Sequence, residues 1–307
     1  MLTQKEFFDE YKCEDAFKQS GLEWNVLSDI YDDYKSKSDN LESIKDELIY
    51  YLKQSPGWSD YHFHSVSGRV KDGMHLIEKI IRKCGTERST KYQGINCSNY
   101  LDIIRDTIGI RILSLSKENW VSAFNLIMNK FKIDDSDKLI AEDPKAYTRY
   151  GDRDIYGDLI NQQHSNIGYR SQHYIVRFMG VYCEIQARTL AEEVYGEFDH
   201  KVKYPYKNSN KFLKRYTSIV SQHLDAVDEM ISTCLQMDDK LIDDADHFFE
   251  NDTYKDWKTT SFPSVLGPHE DEKIEANDFN ENGYVALDKY YDYKLLRKGL
   301  VQDELSE

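Results

Sequence analysis

The chain opens with apolar residues at helical spacing. They recur every three to four positions through 1–55, most regularly in "NLESIKDELIYYLKQ", and Pro56-Gly57 stops them. Thr3-x-x-Glu6 predicts a capping box at the start. "MHLIEKIIRKC" (74–84) and "ENWVSAFNLIMNKF" (118–131) repeat the helical period, and "IGIRILSL" (108–115) is an apolar run of strand length. The polar, turn-rich stretch 145–168 predicts a loop. The period then changes to two. "YRSQHYIVRFM" (169–179) and "VYCEIQAR" (181–188) predict two strands of a hairpin turning at Gly180. Thr189-x-x-Glu192 predicts a capped helix over 190–204, ended by Pro205, with a long helix over roughly 209–243 after it.

Helices alternating with strands predict an α/β domain over 58–207. A helical segment, 1–57, precedes it. A C-terminal helix, 208–243, and an acidic, Tyr-rich region, 244–307, follow it.

Composition narrows the classes of function. The 307 residues carry a net charge of −15, and 237–307 hold 19 acidic against 8 basic residues. That balance argues against a general binder of duplex DNA, which needs a basic face, but leaves room for a local phosphate pocket. No apolar run is long enough to cross a bilayer. The five cysteines are scattered with no C-x-x-C pair, so neither a disulfide framework nor a zinc site is expected. A reducing cytoplasm is the expected compartment.

Four polar sets stand where an ordinary α/β core would not put them. In "GRVKDGMHLIEK", Arg69, Lys71 and Lys79 converge either on a polyphosphate or on solvent. In "RDTIGIRI", Asp106 sits at the mouth of a strand, as a turn cap or as a magnesium ligand. Arg111 lies inside that strand, where it needs an anion or a plane to stack on. In "NIGYRSQHY", Gly168 allows close backbone approach. Tyr169, Ser171 and His173 share one strand face, and Arg170 and Gln172 share the other. That pattern fits a base-stacking site and a plain pleated strand equally well. In "VYCEIQART", Glu184, Gln186 and Arg188 share a face. Glu184 with Asp106 would complete a divalent-metal site, Gln186 would orient a hydroxyl, and Arg188 would pair with a neighbouring acid.

In this order the sets resemble the synthetase domain of the RelA/SpoT family. Gly68-Arg69-Val70-Lys71 with Lys79, Asp106-x-x-Gly109-x-Arg111, Gly168-Tyr169-Arg170-Ser171-x-His173, Glu184-Ile185-Gln186-x-Arg188-Thr189 and His200-x-x-x-Tyr204 all fall in place. The resemblance implies a nucleotidyltransferase-like mixed sheet flanked by helices. It implies a pyrophosphokinase that moves the β,γ-diphosphate of ATP to the 3′-hydroxyl of GDP or GTP, making (p)ppGpp. Arg69 and Arg111 would then sandwich adenine, and Lys71 and Lys79 would hold the triphosphate. Asp106 and Glu184 would bind Mg²⁺. Gly168, Tyr169, Arg170 and His173 would form the acceptor site, with Tyr169 on the base and His173 on the phosphates. Glu184 or Gln186 would deprotonate or orient the 3′-hydroxyl.

Two departures qualify this. Family members that use GDP or GTP often carry a basic residue three or four places before Gly-Tyr, whereas "QQHSNIG" offers only His164. The segment ahead of Gly68 is too short for the family's hydrolase domain, so synthesis without hydrolysis is expected. Both keep open a toxin-type relative acting on the tRNA 3′ end or on an adenine nucleotide. The acidic C-terminal region keeps open self-inhibition, through Tyr290 and Tyr293 at Tyr-x-x-Tyr spacing or through its negative charge competing for the Arg69 and Lys71 pocket. An inactive nucleotide-binding regulator ranks below both, since Asp106 and Glu184 are present. Homo-oligomerisation is left open.

Overall fold

The structure, a computed structural model, describes residues 2–55, 58, 63–131, 138–149, 151–157, 159–165, 168–203 and 211–236. They lie within one unit, Met1–Asn251. Tyr204, Tyr290, Tyr293 and the acidic C-terminal region lie outside the described residues. Four helices lead: α1 (Gln4–Tyr11), α2 (Glu14–Ser20), α3 (Trp24–Ser36) and α4 (Ser38–Lys53). Then come β1 (Phe63–Val70), α5 (Gly73–Cys84), α6 (Tyr100–Ile103), β2 (Ile108–Ser114) and α7 (Trp120–Lys130). Strands β3 (Lys138–Ile140), β4 (Lys145–Thr148), β5 (Asn161–His164), β6 (Ser171–Phe178) and β7 (Val181–Thr189) follow, then α8 (Leu190–Lys203) and α9 (Lys211–Gln236).

The expected mixed α/β architecture is present: a seven-stranded sheet flanked by helices. Its order is β1-β2-β7-β6-β4-β5, with β3 also paired to β6. The β2–β7 and β4–β5 pairs are parallel and the others antiparallel. The β6–β7 hairpin turns through Met179 and Gly180, both at positive φ (48° and 80°), the geometry that matches the twist of two-residue hairpins. One sheet face is apolar. Ile108, Ile110, Ile112, Cys183, Ile185 and Ala187 enter a core shared with Leu48 and Leu52 of α4 and Ala123 and Ile127 of α7. In α5, Asp72 caps the first turn by accepting from the Met74 and His75 amides, and Leu76, Ile77, Ile80 and Ile81 bury one stripe.

Two local expectations fail. The Thr3 hydroxyl donates to the Glu6 carboxylate, not to the backbone arrangement of a capping box, so α1 has no side-chain cap. Residues 145–168 are not all loop. β4 hydrogen-bonds to β6 and β5 extends it, because Ala146 and Thr148 face the interior. The second capping box does form: the Thr189 amide donates to Glu192 (2.9 Å) and the Glu192 amide to the Thr189 hydroxyl (3.1 Å).

Helix α9 packs through a polar stripe. Thr217, Ser221, Asp228 and Ser232 are buried, while Phe212, Tyr216, Val227 and Met230 face outward. Ser232 accepts from the Lys117 amide (2.9 Å), and Lys117 Nζ reaches Asp225 and Glu229. The Thr189 hydroxyl donates to Asp228 (2.6 Å).

Burial and then the nearby Glu192 charge push Asp228 up to about 7, against the Thr189 hydrogen bond and Lys117, with Asp225 adding to the rise. A carboxyl with a raised folded-state pKa stabilises fully below its unfolded value and loses that contribution as pH rises through the folded one. Stability should therefore fall between pH 3.8 and about 7 as Asp228 ionises. Asp228→Asn should flatten that slope, by on the order of 1–4 kcal/mol. Urea unfolding of both proteins at pH 5 and pH 8 measures it, and equal slopes would refute it.

Candidate active site

The other sheet face is ionic, and register explains why. Arg69 opposes Gly109 and Ser67 opposes Arg111 across β1–β2. Gly109 opposes Glu184 and Arg111 opposes Gln186 across β2–β7. His173 opposes Gln186 on one side and Lys145 on the other. Directly opposed residues share a face, and so do alternate residues of one strand. One surface therefore carries Arg69, Arg111, Glu184, Gln186, His173 and Lys145.

A hydrogen-bonded chain crosses that surface. The Tyr169 hydroxyl lies 3.0 Å from His173 Nε2, and His173 Nδ1 lies 3.0 Å from Glu184 Oε1. With Nδ1–H donated to the carboxylate, Nε2 accepts the tyrosine proton. Gln186 Nε2 donates to Glu184 Oε2 (2.6 Å), and Arg188 donates to Gln186 Oε1. Arg188 also pairs with Glu193 (3.3 Å) and stands 5.6 Å from the centre of the Tyr169 ring. Burial raises Glu184, but the hydrogen bond and charge of His173 outweigh it, so the carboxyl sits below its usual range and stays ionised. Burial raises Tyr169.

Asp106 collects the lysines of the first motif. Its Oδ2 is 3.2 Å from Lys71 Nζ and 2.6 Å from Lys79 Nζ. Burial opposes ionisation, yet the two cations hold Asp106 at about 2. Asp106 Oδ1 is buried and accepts no hydrogen bond. Asp106 and Glu184 also feel each other's charge. A buried carboxylate oxygen with an open lone pair, within reach of a second carboxylate's charge, fits Mg²⁺, which takes one or two carboxylates and completes its shell with water and phosphate. Among the described residues no group of three or more His, Cys, Asp or Glu gathers as a metal cage.

Arg111 has a partner that the motif did not reveal. Its Nη1 meets Glu193 and Glu197 of α8, the latter at 2.7 Å. An i, i+4 carboxylate pair on the helix after "EIQART" was the available signal. Ion pairing at the guanidinium edge fixes its plane and leaves its faces open for stacking. Arg69 is exposed. Its charge, after burial, lowers His200, which the motif placed beside this group.

The Gly168 segment corrects one expectation. Arg170 points away from Tyr169, is buried, and grips Asp152 through Nε and Nη2 (both 2.7 Å). Its Nη1 donates to Ser221 (3.0 Å), and the Ser221 hydroxyl donates to the Gly168 carbonyl (2.9 Å). Arg170 is thus a clamp beneath the loop, because strand alternation turns it from the ionic face. Gly168 sits at φ +86°, and a Cβ there would lie 2.3 Å from Ser221 Oγ, so only glycine fits. His164 shares a hydrogen bond with Thr148 (3.1 Å). Sequence reasoning missed Tyr147, whose ring centre lies 4.8 Å from that of His173 and 5.8 Å from that of Tyr169. It lay in a stretch that reads as loop.

Ser221 acts on Tyr169 only through Gly168 and Arg170. Ser221→Ala should raise the acceptor KM about three- to tenfold and leave the KM for the nucleotide donor unchanged. Steady-state kinetics with each substrate varied in turn tests this. A matched rise in both constants would make Ser221 merely structural.

A sheet with one apolar and one ionic face, and lysines converging on a carboxylate, suits a polyanionic ligand. Residues 68–209 match the family model described as a region found in RelA/SpoT proteins. Solved structures similar to the chain include a GTP pyrophosphokinase family protein from Streptococcus pneumoniae, at 21% identity over 73% of this chain and 97% of that one, TM-score 0.44. Another is the small alarmone synthetase 1 of Bacillus subtilis bound to its product pppGpp, at 20% identity over 69% of this chain and 96% of that one, TM-score 0.42. Comparison with curated proteins gives no match. No described helix is long and apolar enough to cross a membrane.

Proposed function

We propose that the chain is a pyrophosphokinase that transfers the β,γ-diphosphate of ATP to the 3′-hydroxyl of GDP or GTP. The alignment of Arg69, Arg111, Glu184 and Gln186 on one sheet face, with Lys71 and Lys79 converging on Asp106, carries this reading. Arg69 and the edge-fixed Arg111 flank the adenine, and Lys71 and Lys79 neutralise the triphosphate. Tyr169 stacks on the acceptor base. His173, engaged on both nitrogens, orients Glu184. Gln186 holds the hydroxyl.

In the reaction the acceptor O3′ bonds to Pβ while the bond from Pβ to the α,β-bridging oxygen breaks, and AMP leaves with that oxygen. Glu184 receives the hydroxyl proton. Asp106 and Glu184 would hold Mg²⁺, which when bound offsets negative charge on the phosphates. Positioning and charge neutralisation supply most of the catalysis in such transfers.

The test is incubation of the full chain with γ-labelled ATP, Mg²⁺ and a mixture of GDP, GTP, AMP and tRNA. Label on a guanine nucleotide supports the reading. Label on tRNA or AMP would replace it with the toxin-type alternative, for which the "QQHSNIG" segment, without a lysine or arginine, is the motivating feature.

A further inference from the structure

We propose that Lys91, Arg105 and Lys145 form a second anion subsite that receives the 5′-phosphates of a nucleoside di- or triphosphate acceptor. The identity of that ligand rests on the pyrophosphokinase reading. The subsite itself rests on the geometry around Glu142.

Three cations meet at this one carboxylate. Arg105 Nη1 lies 2.7 Å from Glu142, Lys145 Nζ 2.8 Å and Lys91 Nζ 3.7 Å. The group therefore carries a net +2 within a chain of net −15. Surplus positive charge held together is costly without an anion to answer it. Its effect is visible in Lys91, which is lowered first by burial and next by the charge of Arg105, against the opposing charge of Glu142, with Lys79 and Lys145 adding to the fall.

The cluster also stands in the right place. Lys145 opposes His173 across β4–β6 and shares the ionic face with it. Arg105 directly precedes Asp106 and lies over the Tyr182 ring at 4.9 Å, which holds it in position. Its Nε is buried and makes no hydrogen bond. The candidates named by the motifs are engaged elsewhere. His164 bonds Thr148, Arg170 is clamped by Asp152 and Ser221, and His173 bridges Tyr169 and Glu184. An acceptor with its base on Tyr169 and its 3′-hydroxyl at Glu184 would have Lys145 beside His173 on the same face, with Arg105 and Lys91 joined to it through Glu142.

Calorimetric titration of the full chain with guanosine, GDP and GTP tests the proposal without turnover. The wild type should bind GDP at least about tenfold more tightly than guanosine, with a preference that shrinks in high salt. Lys91→Ala with Lys145→Ala should abolish about tenfold of that preference and leave guanosine affinity unchanged. Replacing both lysines by arginine should retain it. Glu142→Gln, which removes the competing carboxylate, should tighten GDP binding about threefold or more. GDP affinity unchanged in the double alanine variant would overturn the proposal. So would a Glu142→Gln protein that binds GDP more weakly in step with a lowered unfolding temperature, the signature of a structural ion-pair network. Loss of tRNA binding with GDP binding intact would also overturn it. If no transfer to any acceptor is found but the GDP preference depends on these lysines, the pyrophosphokinase reading fails and the subsite stands. If transfer to GDP proceeds with the same KM in the variants, the subsite fails and that reading stands.

Discussion

Glu184→Gln is expected to lower kcat on the order of 10³-fold while the protein stays folded. The substitution keeps the shape of the side chain and removes its charge. That charge serves two purposes in the proposed reaction: it receives the 3′-hydroxyl proton and, with Asp106, it would hold Mg²⁺. The ordinary expectation for a buried carboxylate is a raised pKa, yet His173 and Gln186 hold Glu184 in its ionised form. Two hydrogen-bonding side chains from adjacent strands that keep one charge ionised are better explained by chemistry than by packing. Single-turnover measurement of diphosphate transfer separates this from a binding defect. A loss below about tenfold, which one ordinary hydrogen bond accounts for, would remove Glu184 from the reacting centre.

Tyr169→Ala is expected to raise the acceptor KM roughly tenfold to a hundredfold, the range for loss of one base–aromatic stack, with the ATP KM unchanged. Tyr169 is placed for this by the clamp beneath it. Gly168 takes the positive φ, Ser221 holds its carbonyl, and Arg170 anchors the segment to Asp152. Tyr147 and Arg188 border the ring. Tyr169→Phe removes the hydroxyl but keeps the ring, so it should retain acceptor affinity and lose part of kcat through His173. An alanine variant with unchanged acceptor KM would contradict the stacking role.

The ionic face was legible in the sequence because strand alternation is a strict period of two. "VYCEIQART" divides into Glu184, Gln186 and Arg188 on one side and Cys183, Ile185 and Ala187 on the other, and the structure divides it the same way. Arg188 pairs with an acid, as its position suggested. What was not legible depended on partners far along the chain. Arg170 needed Asp152 and Ser221 to become a clamp. Arg111 needed Glu193 and Glu197. β4 and β5 are four-residue strands of largely polar sequence, too short to show a period, and pairing with β6 decides their conformation. At Thr3, a nearby carboxylate took the hydroxyl that the capping pattern assigned to the backbone. The polar stripe of α9 is a further case. Periodicity finds the helix, but which side faces inward is set by Lys117, Thr189 and Arg170, which recruit its hydroxyls and carboxylates.

A pyrophosphokinase is distinguished from other ATP-using enzymes by which bond of ATP breaks. Doubly labelled ATP, marked in the adenine ring and at the γ-phosphate, should be followed with GDP as acceptor and the products separated. Equimolar AMP and a guanine nucleotide carrying the γ-label are the predicted result. ADP in place of AMP would mean transfer of a single phosphoryl group, and free phosphate or diphosphate without labelled nucleotide would mean hydrolysis. Either would contradict a pyrophosphokinase built on this face.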